Sequence, residues 1–297
     1  MDCNLIHCKF VCMTIEQANR LLISSITGLY DDRESASISA LVMERVTGMQ
    51  KSERSLYKTS EFSTTQDELF RNYLSELMRN RPVQYVLEEA WFGTLPFYVD
   101  ENVLIPRPET EELAEWLLED QSLSRPGISV LDIGTGSGCI SVLLKKKRND
   151  FKVTALDVSE AALKIAKKNS IRHNVPIEFV ICDIRNRDQW VKLKPADVII
   201  SNPPYIPERQ KELIEKHIRD FEPGLALFVP DEDPILFYKI IGVIAGQKLN
   251  PGGAVFLEIH HDYAKDIMEW YEKNGFSIQV RKDFSGKSRM IKAGRIL

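Results

Sequence analysis

From residue 128 onward, short apolar runs alternate with amphipathic stretches. The runs are ISVLDIG (128–134), KVTALDV (152–158), IEFVICD (177–183), ADVIISN (196–202) and GGAVFLEI (252–259). Segments 138–147, 159–173 and 233–247, which separate most of them, carry helical spacing. Near-continuous apolar runs separated by helices predict an α/β fold, a parallel sheet covered on both faces. YAKDIMEWYEKNGF (263–276) predicts one more helix, stopped at Gly275. SIQVRKDF and RMIKAGRI then predict an antiparallel closing hairpin, which brings the strands to seven.

The pattern before residue 109 is different. Residues 14–88 show helical spacing and no strand signal of comparable strength. Thr14 with Gln17 forms a capping-box pattern ahead of Leu21, Leu22, Ile26 and Leu29. SISALVMERVTG and TQDELFRNYLSELMRNRP predict two further helices, the second starting at a Thr65 cap and stopping before Pro82. Residues 89–108 contain aromatic residues, Gly93 and Pro96, and predict a β-hairpin linker. PETEELAEWLLED (108–120) predicts a helix with proline at its start and acids in its first turn. Residues 1–13 are set apart as a loose extension, 14–88 as a helical domain, and 109–297 as the α/β domain.

Composition narrows the possibilities. Of 297 residues, 43% are hydrophobic and 28% charged, which suits a globular chain with a substantial core. A net charge of −4 gives no electrostatic reason to expect strong duplex nucleic-acid binding. No apolar run is long enough to span a bilayer. The five cysteines contain no CxxC pair; HCKFVC (7–12) lacks paired metal-ligand spacing, and Cys139 and Cys182 lie in apolar runs. A reduced, cytoplasmic protein without a metal is expected.

VLDIGTGSGCI (130–140) is a strand, a glycine turn and a helix start. Gly134, Gly136 and Gly138 allow a ligand to approach the backbone, at the strand end where such sheets bind ligands. Asp157 ends the next strand 19 residues after Gly138 and suits the two hydroxyls of a ribose. The spacing is GxGxG, not the GxGxxG of dinucleotide sites, and Asp132 precedes the turn. A fixed acid there suits a cationic amine better than a pyrophosphate. S-adenosylmethionine (AdoMet) has such an amine and no phosphate. The alternative is a purely structural turn. Asp183 could reach an adenine amine, with Ile184 packing on the ring; as an alternative, Asp183 is a helix N-cap.

The fourth run ends in SNPPYIP (201–207). Proline lacks the N–H of a strand ladder, so Pro203 and Pro204 take the chain abruptly out of the sheet. The turn then carries one carboxamide, Asn202, and one ring, Tyr205. A planar amide or aromatic amine is a poor nucleophile, and an enzyme that methylates it must hold its NH2 group in line with the methyl donor. Two acceptors would do so, the Asn202 oxygen and the Pro203 carbonyl, while Tyr205 offers a ring face. No general base is required before transfer, since the methylated nitrogen loses its proton readily. A proline-stiffened loop is the plainer reading.

DIGTGSG, LDVS and SNPPYI together resemble a Rossmann-like class I AdoMet-dependent methyltransferase with the amino-methylating (D/N)PPY signature. RPVQYVLEEAWFGTLPFYVDENVLIPRPETE (81–111), RDFEPGLALF and KDFSGKSRMIKAGR resemble the HemK/PrmC family of protein-(glutamine) methyltransferases, over residues 14–295. The resemblance implies transfer of methyl to the glutamine of the Gly-Gly-Gln loop in class 1 peptide-chain release factors. It implies that Asp132, Gly134, Thr135, Gly136, Ser137, Gly138, Asp157, Val158, Asp183, Ile184 and Asn202 line the AdoMet site. Asn202, Pro203, Pro204 and Tyr205 would hold the glutamine, with Arg107 and Glu109 of the RPET element nearby. EIHH (258–261) departs from the family pattern, and His260 and His261 are expected at the surface or in a loop.

Two rival functions remain at this point. An adenine methyltransferase would use the same turn on a flipped base, but would need a basic recognition face. A non-catalytic AdoMet-binding protein would not need an intact NPPY turn. A monomer is expected.

Overall fold

The computed structural model describes residues 13–295, so HCKFVC and the expected loose extension before Met13 lie outside the described residues. Two compact units divide between Leu87 and Glu88.

The first unit is helical: α1 (Ile15–Ile26), α2 (Asp32–Thr47), α3 (Lys51–Leu56), α4 (Thr64–Met78) and the single turn α5 (Val83–Val86). Thr14 and Gln17 form the predicted capping box. The cap of α4 is Ser63, two residues before the expected Thr65. Ser63 accepts from the Gln66 N–H while the Gln66 side chain accepts from the Ser63 N–H, and only Ser63 stands three residues before that glutamine. Leu22, Ile26, Val42, Met43, Phe70 and Leu77 form this unit's core.

The second unit opens with a hairpin, β1 (Ala90–Phe92) and β2 (Leu95–Phe97), turned at Gly93 with φ +61°. Phe92 and Phe97 are buried with Leu113 and Leu143, so the hairpin is packed into this unit's core. There follow α6 (Pro108–Glu119), β3 (Ser129–Ile133), α7 (Cys139–Lys147), β4 (Lys152–Asp157), α8 (Glu160–Arg172), β5 (Glu178–Ile181) and β6 (Ala196–Ser201). After the proline turn come β7 (Ile206–Pro207), α9 (Lys216–Phe221), α10 (Gly224–Leu227) and β8 (Phe228–Val229). The chain finishes with α11 (Leu236–Lys248), β9 (Leu249–Glu258), α12 (Ala264–Lys273), β10 (Phe276–Lys282) and β11 (Ser288–Arg295).

Seven strands form one sheet in the order β10-β11-β9-β6-β3-β4-β5. Strands β9, β6, β3, β4 and β5 are parallel, and β11 runs antiparallel to both β9 and β10. Side-chain alternation places the core on both faces. Val130, Val198, Ile200, Ala254 and Phe256 pack with Leu113, Leu117, Val142 and Leu143 of α6 and α7. Leu131, Ile133, Ile199, Val255 and Leu257 pack on the other face with Ile241, Ile244 and Ile267 of α11 and α12. Burying one such aliphatic side chain contributes about 1.5–3 kcal/mol. The chain order runs outward from β3 to β4 and β5, then returns to the far side of β3 with β6. The switch point, where ligands enter such sheets, therefore lies between β3 and β6.

Candidate active site

The carboxyl ends of the parallel strands bring the chemistry-bearing residues to one edge. In spatial order they are Glu258 (β9), Asn202 (after β6), Gly134 (after β3), Asp157 (β4) and Asp183 (after β5). Ser201 pairs with Ile133 in the ladder, and its hydroxyl donates to the Ile133 carbonyl at 2.7 Å. That bond fixes the start of the proline turn directly beside the glycine turn.

Leu156 and Asp157 of β4 fasten the glycine turn. The Gly134 and Thr135 N–H groups both donate to the Leu156 carbonyl, and Gly136 N–H donates to Asp157 Oδ2 at 3.0 Å. Asp157 Oδ1 accepts from Ser159 N–H at 2.9 Å. Burial raises its pKa, and these N–H bonds oppose the rise. Val158, next in the chain, is exposed. Gly134 and Gly136 have φ of +72° and +54°, and a Cβ on either would meet nothing within 4 Å. Gly138 also has a packing reason to be glycine. A Cβ there would stand 3.0 Å from the Ala166 Cβ, so this glycine lets α8 pack closely.

Asp132 is fully buried. Its Oδ2 accepts from the Thr135 hydroxyl at 2.7 Å and the Ser141 hydroxyl at 2.6 Å. Its Oδ1 has no partner among the described residues. Burial pushes its pKa up to about 6 against those two bonds. Ser137 is also buried in the turn, and its carbonyl accepts from Asn169 Nδ2.

At the far end of the site the Asp183 carboxylate is held by Arg185 at 2.9 Å, which lowers its pKa. It also accepts the Arg185 N–H, while Asn186, not Asp183, caps the short helical turn that follows. Ile184 is only 8% exposed and lies in the core with Trp190 and Leu193. Trp190 Nε1 donates to its carbonyl and draws the segment inward, so the side chain faces the core rather than an open ring site.

On the other side of the switch point, the Asn202 amide nitrogen donates to Thr110 Oγ1 at 2.8 Å, and no described residue donates to its Oδ1. The Pro203 carbonyl is likewise without a donor among the described residues, Pro203 is buried and Pro204 half-buried. The Tyr205 hydroxyl donates to Glu258 Oε1 at 3.3 Å, and burial, with Glu258 next to it, pushes its pKa up. His260, expected at the surface or in a loop, has a side chain only 12% exposed and meets the Tyr205 ring edge-on at 5.6 Å. Its Nδ1 accepts from Asp262 N–H, so the turn after β9 folds the imidazole back over the tyrosine.

Arg107 is held in place by an ion pair and lies close enough to Tyr205 to oppose the rise in its pKa. Its guanidinium bonds Glu222 at 2.5 Å, and Glu222, with a fully buried side chain, also accepts from Ile105 N–H. The pair ties the segment before α6 to the loop between α9 and α10. Removing either partner would leave a buried charge or donor unpaired, a cost on the order of 3 kcal/mol. Glu109 is half-buried in the first turn of α6, close enough to Glu258 to raise the pKa of that acid.

The sequence reading missed two residues. Thr110 is buried in the same first turn, and its hydroxyl donates to Glu258 Oε2 at 2.6 Å. Glu258 is buried at the end of β9, and its pKa is pushed up to about 7, mainly by burial. The signal was a lone acid closing the apolar run AVFLE, two residues ahead of the histidines that drew attention.

Residues 110–225 match the family described as Methyltransferase small domain. A release factor glutamine methyltransferase of Flavobacterium psychrophilum is 36% identical over 94% of this chain and 99% of its own length. The chain belongs to the release factor glutamine methyltransferase family. A second family member, from Bacteroides thetaiotaomicron, is 37% identical over 91% of this chain and 96% of its own length. A solved methyltransferase from Pyrococcus furiosus shares the fold: 23% identity, TM-score 0.51, covering 76% of this chain and 99% of that one. In this family setting, the site's strand-end residues form one continuous row from Glu258 to Asp183.

Proposed function

We propose that the protein transfers the methyl group of S-adenosylmethionine to the side-chain amide nitrogen of glutamine in the Gly-Gly-Gln motif of class 1 peptide-chain release factors. The observation that carries this reading is the Asn202–Tyr205 turn, fixed beside the glycine turn at the switch point, in a chain of this family.

The residues present fit AdoMet. Open space beside Gly134 and Gly136 admits a ligand against the backbone. The unpartnered Asp132 oxygen suits an ammonium group, directly or through a water. Asp157 keeps acceptor capacity for ribose hydroxyls after its two N–H bonds. Val158 offers exposed apolar surface for one face of adenine, and Asp183 an acceptor for its amine. Bound AdoMet supplies an electrophilic sulfonium methyl group.

This chain's part is to position the nucleophile. The Asn202 oxygen and the Pro203 carbonyl accept the two amide hydrogens of the glutamine, and the prolines hold both acceptors rigid. A row of fixed acceptors around the reacting nitrogen also favours the positive charge it gains. The helical unit ending at Leu87 is assigned recognition of the release factor, with the protein acting as a cytoplasmic monomer without metal or nucleic acid. None of the described helices is long and apolar enough to cross a membrane.

Incubation with methyl-labelled AdoMet and either a release factor or duplex DNA tests the assignment. Label on the Gly-Gly-Gln glutamine, located by mass spectrometry, is expected. Label on adenine alone, or AdoMet binding with no label on either substrate, overturns it.

A further inference from the structure

Resting on that function, we propose that Thr110 and Glu258 are positioning residues that set which way the Asn202 carboxamide faces, so that its oxygen and not its NH2 meets the substrate amide. The argument is one of hydrogen-bond polarity. A carboxylate only accepts, and a hydroxyl has one proton to give. Thr110 Oγ1 stands 2.6 Å from Glu258 Oε2 and 2.8 Å from Asn202 Nδ2. With Glu258 ionised, the Thr110 proton goes to Glu258, and Oγ1 can only accept from Asn202. A flipped Asn202 would set two acceptors against each other without a proton between them. The Asn202 oxygen is therefore turned toward the substrate side. Tyr205 donates to the other Glu258 oxygen and does not compete for Thr110.

The fold supplies the geometry. Glu258 and Asn202 continue the side-chain alternation of Ala254–Phe256 and Val198–Ile200, which face α6. The first turn of α6 thereby delivers Thr110 between them. The chain separations, 148 residues to Glu258 and 92 to Asn202, make this a tertiary arrangement rather than a local turn.

Protonation of Glu258 removes the constraint. A neutral carboxyl can donate to Thr110, whose own proton can then go to a flipped Asn202 oxygen. That leaves the Asn202 NH2 facing the substrate NH2, donor against donor. Among the described residues, Glu109 of α6, Tyr205, Tyr238 of α11 and Arg289 of β11 are titratable groups that interact with Glu258. Burial and Glu109 raise its pKa, Thr110, Arg289 and Tyr205 lower it, and the balance lies near neutrality. His260, beside Tyr205, is held below its ordinary value by burial and titrates at lower pH.

Two measurements on the full chain test this. The first needs no substrate: the Asn202 side-chain NH2 resonances, assigned by their loss in Asn202→Ala, are followed by 15N NMR from pH 5 to 9. They are expected to shift with a midpoint near pH 7 in the wild type and to stay put in Glu258→Gln and Thr110→Val. An Asn202 signal that ignores pH in the wild type, or titrates unchanged in Glu258→Gln, overturns the proposal. The second is kinetic, with a release factor as substrate. Thr110→Val is expected to lower kcat about 10- to 100-fold with AdoMet affinity unchanged, and Thr110→Ser to restore most of it. Thr110→Val at the wild-type kcat overturns the proposal. A wild type that methylates no release factor overturns the assigned function instead, and the NMR titration still decides the relay.

Discussion

Asn202→Ala is expected to lower the rate of methyl transfer by about two to three orders of magnitude, roughly 3–4 kcal/mol of transition-state stabilisation, while AdoMet binds as before. In the proposed function the Asn202 oxygen is one of two acceptors that hold the glutamine NH2 in line. Without it the amide keeps one anchor and rotates away from the methyl group. The same substitution touches nothing in the glycine turn, whose own bonds run to Leu156 and Asp157. Binding and turnover should therefore separate cleanly. Single-turnover kinetics beside calorimetry of AdoMet reads both; a variant that turns over normally would remove Asn202 from the reaction.

Asp157→Ala should have the opposite signature, a loss of AdoMet affinity of about 100-fold or more. Each hydrogen bond to a charged group is worth about 1.5–3 kcal/mol, and a ribose presents two hydroxyls. The substitution also releases the Gly136 and Ser159 N–H groups that the carboxylate now holds, so the turn loses part of its own support. Calorimetric titration with AdoMet measures the change. Unaltered affinity would take Asp157 out of the ribose site.

Particular residues show why some of this was legible in the sequence and some was not. The five apolar runs declared the parallel strands because a strand buried on both faces must be apolar throughout, and the residue that ends each run marks the ligand edge. Asp157 and Asn202 could be placed at that edge of the sheet in this way, since their positions depend only on local pattern. Thr110 could not. Its meaning depends on α6 lying across the ends of β6 and β9, a contact between segments far apart in the chain. Arg107 drew attention as a charged residue in a distinctive element, but its ion-pair partner Glu222 lies 115 residues away and no local pattern points to it. Ile184 was placed on the ligand by its neighbour Asp183, but the Trp190 bond to its carbonyl turns the side chain into the core. The cap of α4 shifted from Thr65 to Ser63 because two adjacent threonines match composition, whereas only the serine matches the three-residue reach to Gln66.

The central claim is that a stiff corner grips a planar carboxamide by both of its hydrogens. A crystal structure with S-adenosylhomocysteine and a Gly-Gly-Gln peptide tests it most directly. The glutamine nitrogen is expected within hydrogen-bond distance of both Asn202 Oδ1 and the Pro203 carbonyl, facing the sulfur. A glutamine seated elsewhere, or bound to the Asn202 nitrogen instead of its oxygen, would contradict the account.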